Sequence, residues 1–381
     1  VVSRQISSCE VIPFWREVRT MRLHHHPTMY TDIRYMQRAL TLAEKGMGFV
    51  SPNPLVGAVI VRDETILGEG YHAVFGGDHA EVAAVKAAEA KGYDVAGATM
   101  YVTLEPCTHH GKTPPCTDLI LAKKLRRVVI AMPDPHPFAG GGADRLHHHG
   151  IHVTMGLLRR QAEEINRFFL HGFRTRRPFF TAKAAVSTNG MIAEAPGKRT
   201  QLSGPEAQAF AHALRQAHDA ILVGTDTVLT DDPLLSVRHG YARRDPLRVL
   251  IDPKRRIPPQ ARVFRDDNYL LFTRRQPQDP LTHKNHVFLE GELNLIPPAT
   301  IAHELWERDI RSVLIEGGAR TIETFLEARL IDELIIIETP TRLPKSGVPL
   351  FPRRFPKGFA ERHEQQLELG DDVAKVYEQA S

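Results

Sequence analysis

Hydrophobic and polar positions along this chain switch repeatedly between a helical and a strand period, which predicts alternating helices and strands. Ile33, Met36, Leu40 and Ala43 fall on one face of a helix, with Asp32 as its N-cap and Gly46 near its end. The β-rich runs Val56–Val61 and Thr65–Gly70 follow, joined across Asp63-Glu64 as a hairpin. His79–Ala90 predicts a helix, Thr99–Leu104 a strand, Thr117–Lys124 a helix and Arg127–Met132 a buried strand. The order α-β-β-α-β-α-β predicts a three-layer α/β unit.

The pattern then loosens through Pro133-Asp134-Pro135-His136-Pro137 and Gly140–Gly142. A short strand at Ile151–Thr154 and a helix at Glu163–Leu170 follow, and Arg174–Pro178 has the composition of a linker end. A second α/β pattern starts afresh beyond it. Its strands are expected at Phe179–Ser187, Ala220–Val223, Leu247–Ile251, Tyr269–Phe272, Ser312–Ile315 and Glu333–Glu338. Its helices are expected at Pro205–Gln216, Ile301–Arg308 and Thr321–Ala328, the first with proline early, where helices accept it. No internal repeat links the halves. The expected division is a disordered tail over 1–28, a first domain over 29–150, a linker region over 151–178 and a second domain over 179–381.

Composition narrows the class. The 381 residues are 42% hydrophobic and 25% charged, ordinary globular usage that excludes a disordered chain. Lys and Arg total 49 against 45 Asp and Glu, and a net charge of +4 is weak grounds for nucleic-acid binding. No apolar run approaches the roughly 18–20 residues of a membrane helix, and 1–28 lack the apolar stretch of a secretory signal. Cys9, Cys107 and Cys116 form an odd, sparse set, which points to a reducing cytoplasm rather than a disulfide framework.

The densest chemistry is Gly76-Gly77-Asp78-His79-Ala80-Glu81, followed by Glu105-Pro106-Cys107 and then Cys116. One imidazole and two thiolates suit zinc, and three protein ligands leave the fourth position open, as in catalytic sites. Such a metal lowers the pKa of a water to about 7. Glu81, two residues from His79 at the start of the same helix, is placed to carry protons rather than bind metal. This is the deaminase logic of H-x-E followed by P-C and a further cysteine, except that eight residues separate the cysteines instead of two. Cys107 would reach the metal from a strand end and Cys116 from the first turn of the next helix. His109 and His110 are read as loop or substrate contacts, and His24–His26 and His147–His149 as solvated polar stretches.

Ser51-Pro-Asn-Pro-Leu-Val-Gly-Ala-Val-Ile60, Gly68-Glu-Gly-Tyr-His72, His79-Ala-Glu81 and the stretch from Val102 to Cys116 with its Gly-Lys-Thr-Pro-Pro insert resemble the bifunctional riboflavin-biosynthesis deaminase–reductases. The resemblance runs from about residue 30 into the C-terminal region. It implies a cytidine-deaminase-like three-layer α/β/α domain with one zinc per chain, held by His79, Cys107 and Cys116, with Glu81 catalytic. It also implies a dihydrofolate-reductase-like α/β domain that uses NADPH.

Residues alone say less about that second half. Ser187-Thr188-Asn189-Gly190 is a strand-ending turn, and Glu316-Gly317-Gly318, between a strand and a helix, could present free N–H groups to a phosphate. There is no G-x-G-x-x-G. The resemblance places Lys183-Ala-Ala185 along the nicotinamide, with Ala185, Gln201, Thr227 and Asp231 lining the cofactor. It adds Gly318, Ala319, Arg320, Thr321, Ile322, Glu323 and Thr324. It sets Arg199, Arg215, Leu235, Arg238 and Glu316 against the substrate, whose phosphate suits guanidinium groups. Asn189 stands where family members often carry Asp, and Gln201 where some carry Trp.

The implied activity has two steps. The first is hydrolytic deamination of 2,5-diamino-6-ribosylamino-4(3H)-pyrimidinone 5′-phosphate. The second is NADPH-dependent reduction of the ribosyl group of 5-amino-6-(5-phosphoribosylamino)uracil to ribityl. The expected partner is thus a small phosphorylated pyrimidine, with no nucleic acid and no membrane, in a homo-oligomer (dimer or tetramer). A tRNA base deaminase with an RNA-binding C-terminal domain is the main alternative. It would require a basic, aromatic-bearing surface, whereas aromatics total 7%. A regulatory module with a structural zinc would want a fourth protein ligand, and none is evident.

Overall fold

The computed structural model describes residues 27–109, 114–136, 140–238, 244–275, 285–292, 295–351, 355–362 and 366–379. Cys9, His24–His26, His110 and the first 26 residues of the expected tail lie outside the described residues. The chain forms two compact units that divide between Arg176 and Arg177.

The first unit runs α1 (Pro27–Ala43), β1 (Gly57–Arg62), β2 (Thr65–Tyr71), α2 (Ala80–Glu89), β3 (Thr99–Leu104), α3 (Cys116–Ala122) and β4 (Arg127–Met132). It continues with α4 (Gly142–His148), β5 (His152–Met155), α5 (Arg159–Ile165) and α6 (Arg167–Thr175). The sheet order is β2-β1-β3-β4-β5, antiparallel where β1 meets β2 and β3 and parallel beyond. Period-two alternation divides the strand residues between two cores. Ala58, Ile60, Met100, Val102, Val128 and Ile130 face α2, α3 and α4, while Val59, Val61, Tyr101, Val129 and Ala131 face α1 and α5. The three layers follow directly.

Several expectations change here. The hairpin at Asp63-Glu64 forms with both residues left-handed, as a tight two-residue turn requires. Asp32, expected as an N-cap, lies inside α1, which begins at Pro27. It accepts a paired bond from Arg127 at 2.9 and 2.7 Å and one from Tyr101 Oη at 2.6 Å, bracing helix to sheet. Residues 151–176, expected as a linker, are part of the first unit, because β5 extends its sheet and α5 buries Ala162 against it. The single helix expected at Glu163–Leu170 is two helices, separated at Asn166. That side chain accepts from Leu55 N–H at 2.7 Å and donates to Leu55 O at 3.0 Å. His147 and His148 end α4 and are exposed, as a solvated stretch should be.

The second unit runs β6 (Phe179–Val186), β7 (Met191–Ala193), α7 (Pro205–Ala217), β8 (Ala220–Gly224), α8 (Thr225–Asp231), β9 (Leu247–Ile251), β10 (Tyr269–Thr273) and β11 (His286–Phe288). Then come α9 (Pro298–Trp306), β12 (Ser312–Ile315), α10 (Ala319–Glu327), β13 (Glu333–Glu338), β14 (Val348–Pro349), β15 (Phe359–Glu361), β16 (Leu367–Leu369) and β17 (Asp372–Gln379). The main sheet has the order β11-β10-β9-β8-β12-β6-β13-β17-β15, with β16 also pairing β17. It is parallel from β11 to β13, and β17 runs antiparallel to β13. One face packs on α9 and α10, while the other is covered by α7 and α8. The six expected strands are present. β7, β11 and β14–β16, of two or three residues each, carried too little pattern to be expected, and the eight-residue β17 was not expected either. Among the described residues, no helix is long and apolar enough to cross a membrane.

Candidate active sites

The first site is assembled at one end of the first sheet. Gly70 on β2 explains how α2 reaches it: a Cβ there would lie 2.3 Å from Ala84 N, so only glycine lets the helix rest directly on the strand. His79 is the N-cap of α2, and Glu81 occupies the helix's first turn. Cys107 follows the end of β3, and Cys116 opens α3. The fold gathers these separated residues: His79 Nδ1 lies 3.3 Å from Cys116 Sγ and 3.7 Å from Cys107 Sγ. One ligand atom from each of His79, Cys107 and Cys116 lies within 4.8 Å of the others.

The electrostatics suit a cation. Hydrogen bonding from Cys116 holds the Cys107 thiol down to about 4, against burial and with help from His79. Hydrogen bonding with Cys107 and burial push the Cys116 thiol up, so the pair holds one proton unequally. A soft dication would displace that proton and hold both sulfurs as thiolates. An imidazole with two sulfurs is a zinc donor set. Glu81 is 3% exposed, and burial pushes its carboxyl up.

His79, Glu81 and Cys107 face a cavity of about 310 Å³, whose wall also includes Asn53, His72, Glu105, His109 and Asp134. His72 Nδ1–H donates to Asp78 O at 2.9 Å, which leaves Nε2 to accept from Asn53 Nδ2 at 3.1 Å. Burial lowers its pKa and keeps the ring neutral. His109, expected as a loop or substrate contact, lines the cavity. Glu105 and Asp134 were not singled out, because neither follows a metal-ligand spacing.

In the second unit Glu316 and Gly318 follow the carboxyl end of β12, and Thr227 and Asp231 lie on α8 just beyond β8, the end at which ligands bind in open α/β sheets. Arg215 on α7 donates to both oxygens of Glu316, just beyond β12, at 2.9 and 2.6 Å, and to Ser236 O at 3.0 Å. Burial opposes ionisation of Glu316, but the Arg215 and Lys183 charges outweigh it and hold the carboxyl at about 2. Burial lowers the Lys183 ammonium, partly offset by Glu316. Burial raises the Asp231 carboxyl, and Arg199 pulls it back. Arg238 N–H donates to His212 Nδ1 at 3.1 Å, which ties this segment to α7. His212 was not anticipated. Its place one helical turn before Arg215 was the available signal.

Other expected contacts change. The Gly318 N–H, expected to meet a phosphate, is donated to Thr227 Oγ1 at 3.0 Å. Ile322 is wholly buried in the core, and Leu235 is 3% exposed in another, so neither presents a side chain to a ligand. Thr324 Oγ1 turns back to Arg320 O at 2.8 Å. Ala319, Arg320 and Thr321 form the first turn of α10, with Glu323 half-buried beyond them. Ala185 packs beside the α7 core. Gln201 is exposed and bonded to Ser203 O. Asn189 braces a turn by donating to Leu343 O and accepting from Leu343 N–H.

Fold and site together define a zinc-dependent pyrimidine deaminase domain followed by a reductase domain. The deaminase family described as the cytidine and deoxycytidylate deaminase zinc-binding region matches residues 29–132, and the RibD C-terminal domain matches 178–368. The chain belongs to the RibD family of riboflavin-biosynthesis deaminase–reductases. It is 38% identical over 315 residues to the riboflavin biosynthesis protein RibD of Aquifex aeolicus, covering 81% of this chain and 87% of that one. The Escherichia coli relative is 39% identical over 330 residues, covering 82% and 88%. The crystal structure of the Thermotoga maritima diaminohydroxyphosphoribosylaminopyrimidine deaminase/5-amino-6-(5-phosphoribosylamino)uracil reductase superposes with a TM-score of 0.82 at 34% identity. It covers 93% of this chain and 100% of that one. The match to both domains leaves the tRNA-deaminase alternative without support.

Proposed function

We propose that this chain catalyses two successive reactions of riboflavin biosynthesis, as its family membership implies. The first unit hydrolytically deaminates 2,5-diamino-6-ribosylamino-4(3H)-pyrimidinone 5′-phosphate. The second reduces the ribosyl group of 5-amino-6-(5-phosphoribosylamino)uracil to ribityl with NADPH. The observation that carries the reading is the convergence of His79, Cys107 and Cys116 beside buried Glu81 at the cavity.

His79, Cys107 and Cys116 would hold zinc, which when bound lowers the pKa of a water to about 7. Glu81, raised by burial, suits a group that takes a proton from the attacking water and delivers it to the departing ammonia. Neutral His72 and its partner Asn53 shape the wall against which the pyrimidine ring would rest.

NADPH would lie along Lys183–Ala185, Thr227, Asp231 and the start of α10, and it would supply the hydride. Gln201 at the surface and the turn through Glu323 and Thr324 would border it. Lys183 and Arg215, paired against Glu316, place positive charge beside a phosphorylated substrate, and Arg199 and Arg238 would add to it. Leu235 and Ile322 would contribute through backbone only. A cytoplasmic location and a homo-oligomer, dimer or tetramer, complete the reading. Sedimentation decides the latter.

One experiment tests the whole: supply the diaminopyrimidine phosphate with and without NADPH, and follow ammonia and NADPH absorbance. Ammonia release without NADPH, followed by NADPH oxidation once it is added, is expected. Absence of both overturns the reading.

A further inference from the structure

Two glutamates line the deaminase cavity, and only Glu81 has a place in the proton path. The other, Glu105, is 7% exposed at the end of β3. Its Oε1 accepts Ala143 N–H at 2.9 Å, and its Oε2 accepts Asp134 N–H at 3.2 Å. Each oxygen is thus already engaged by a backbone donor. That suits a fixed acceptor, not a group that must exchange protons with substrate.

The donors are Asp134, which lines the cavity beyond β4, and Ala143, in the first turn of α4. The α4 end is held twice more. Thr108 Oγ1 donates to Gly140 O at 3.1 Å. A Cβ on Gly142 would stand 1.9 Å from Pro106 O, so the start of α4 lies directly on the Glu105-Pro106-Cys107 turn. Asp134 is carried by this clamp into the cavity lining, where its Oδ1 also accepts His136 N–H at 2.9 Å. An aminopyrimidine offers N–H donors at its ring and amino groups, and a carboxylate in the wall is the matching acceptor.

We propose that Glu105 is a positioning residue for deamination: by clamping the main chain at Asp134 and Ala143 it holds the Asp134 carboxylate where it accepts N–H groups of the substrate pyrimidine. This rests on the deaminase reading above. Displacing such a contact by about 1 Å weakens a site steeply, so the clamp acts through Asp134 and not on the reacting atoms.

The test uses the full chain loaded with zinc and the diaminopyrimidine phosphate as substrate. Glu105→Gln exchanges one acceptor for a donor that opposes a backbone N–H. It is expected to raise KM about tenfold with kcat within about threefold, the loss of one charge-assisted bond. Zinc content and reductase activity stay at the wild-type level. Asp134→Asn is expected to raise KM similarly, and the double variant to be no worse than the worse single one, since both remove the same contact. Loss of zinc in Glu105→Gln, a large fall in kcat at unchanged KM, or additive effects in the double variant would overturn the proposal. Should Glu105→Gln fail to fold, Asp134→Asn decides: a raised KM supports the proposal and an unchanged one overturns it. A wild-type protein that releases no ammonia sinks the deaminase reading as well, whereas an active wild type with an indifferent Glu105→Gln sinks this proposal alone.

Discussion

Cys116 Sγ stands 3.3 Å from His79 Nδ1, although 37 positions separate them in the chain. The contact exists because two helices begin at the same end of one sheet, α2 with His79 as its N-cap and α3 with Cys116 as its first residue. Everything asked of the deaminase site depends on that meeting.

Glu81 lies in the first turn of α2, buried and hydrogen-bonded with Cys116 without belonging to the candidate ligand set. Glu81→Gln is expected to lower ammonia release by at least about 10²-fold, the usual contribution of a positioned acid–base group, with zinc retained. Metal analysis beside an ammonia assay checks it. Normal ammonia release from a zinc-loaded variant would refute the assignment.

Removal of zinc separates the two units. Chelation is expected to abolish deamination while NADPH oxidation with the deaminated substrate continues, because His79, Cys107 and Cys116 all belong to the first unit. Equal loss of both activities would contradict the two-site reading.

Arg238 is held through its backbone by His212, leaving an exposed guanidinium. Arg238→Ala is expected to raise the reductase KM about tenfold, the order of one charge-assisted contact, and to leave deamination unchanged. Steady-state kinetics of the two half-reactions distinguish this from a general loss of folding.

Glu316 ties pH to stability. Its carboxyl is held at about 2 in the fold against an ordinary 4.5. The unfolded chain therefore takes up the proton first, and this contribution is complete above about 4.5 and lost as pH falls toward 2. Glu316→Gln strands the Arg215 guanidinium and is expected to cost about 3 kcal/mol near pH 6. The gap to wild type should shrink as pH falls through that window. Denaturant titrations from pH 6 downward measure it, and a constant gap would mean that the pair is not the source.

Much of this was legible in the chain itself. Thr99–Leu104 and Arg127–Met132 are strands at their expected bounds, because strands buried on both faces are rich in apolar and β-branched residues between polar turns. His79, Glu81, Cys107 and Cys116 could be named because a metal site restricts residue type as well as spacing. Other features had no local signal. Asn166 divides a helix because Leu55, distant in sequence, offers both a donor and an acceptor. Asp32 reads as a cap locally, but it serves Arg127 and Tyr101 on the sheet.

The sequence by itself determined the alternation of elements, the two-unit plan and the residue types of the candidate zinc site, since each is written in periodicity or in residue type. Only the tertiary structure decided that Arg215 grips Glu316, that Gly318 spends its N–H on Thr227, and that Glu105 clamps the wall carrying Asp134. Hydrogen bonds between distant segments form only where packed layers bring them within about 3 Å, and no pattern along a single chain encodes which partners will meet.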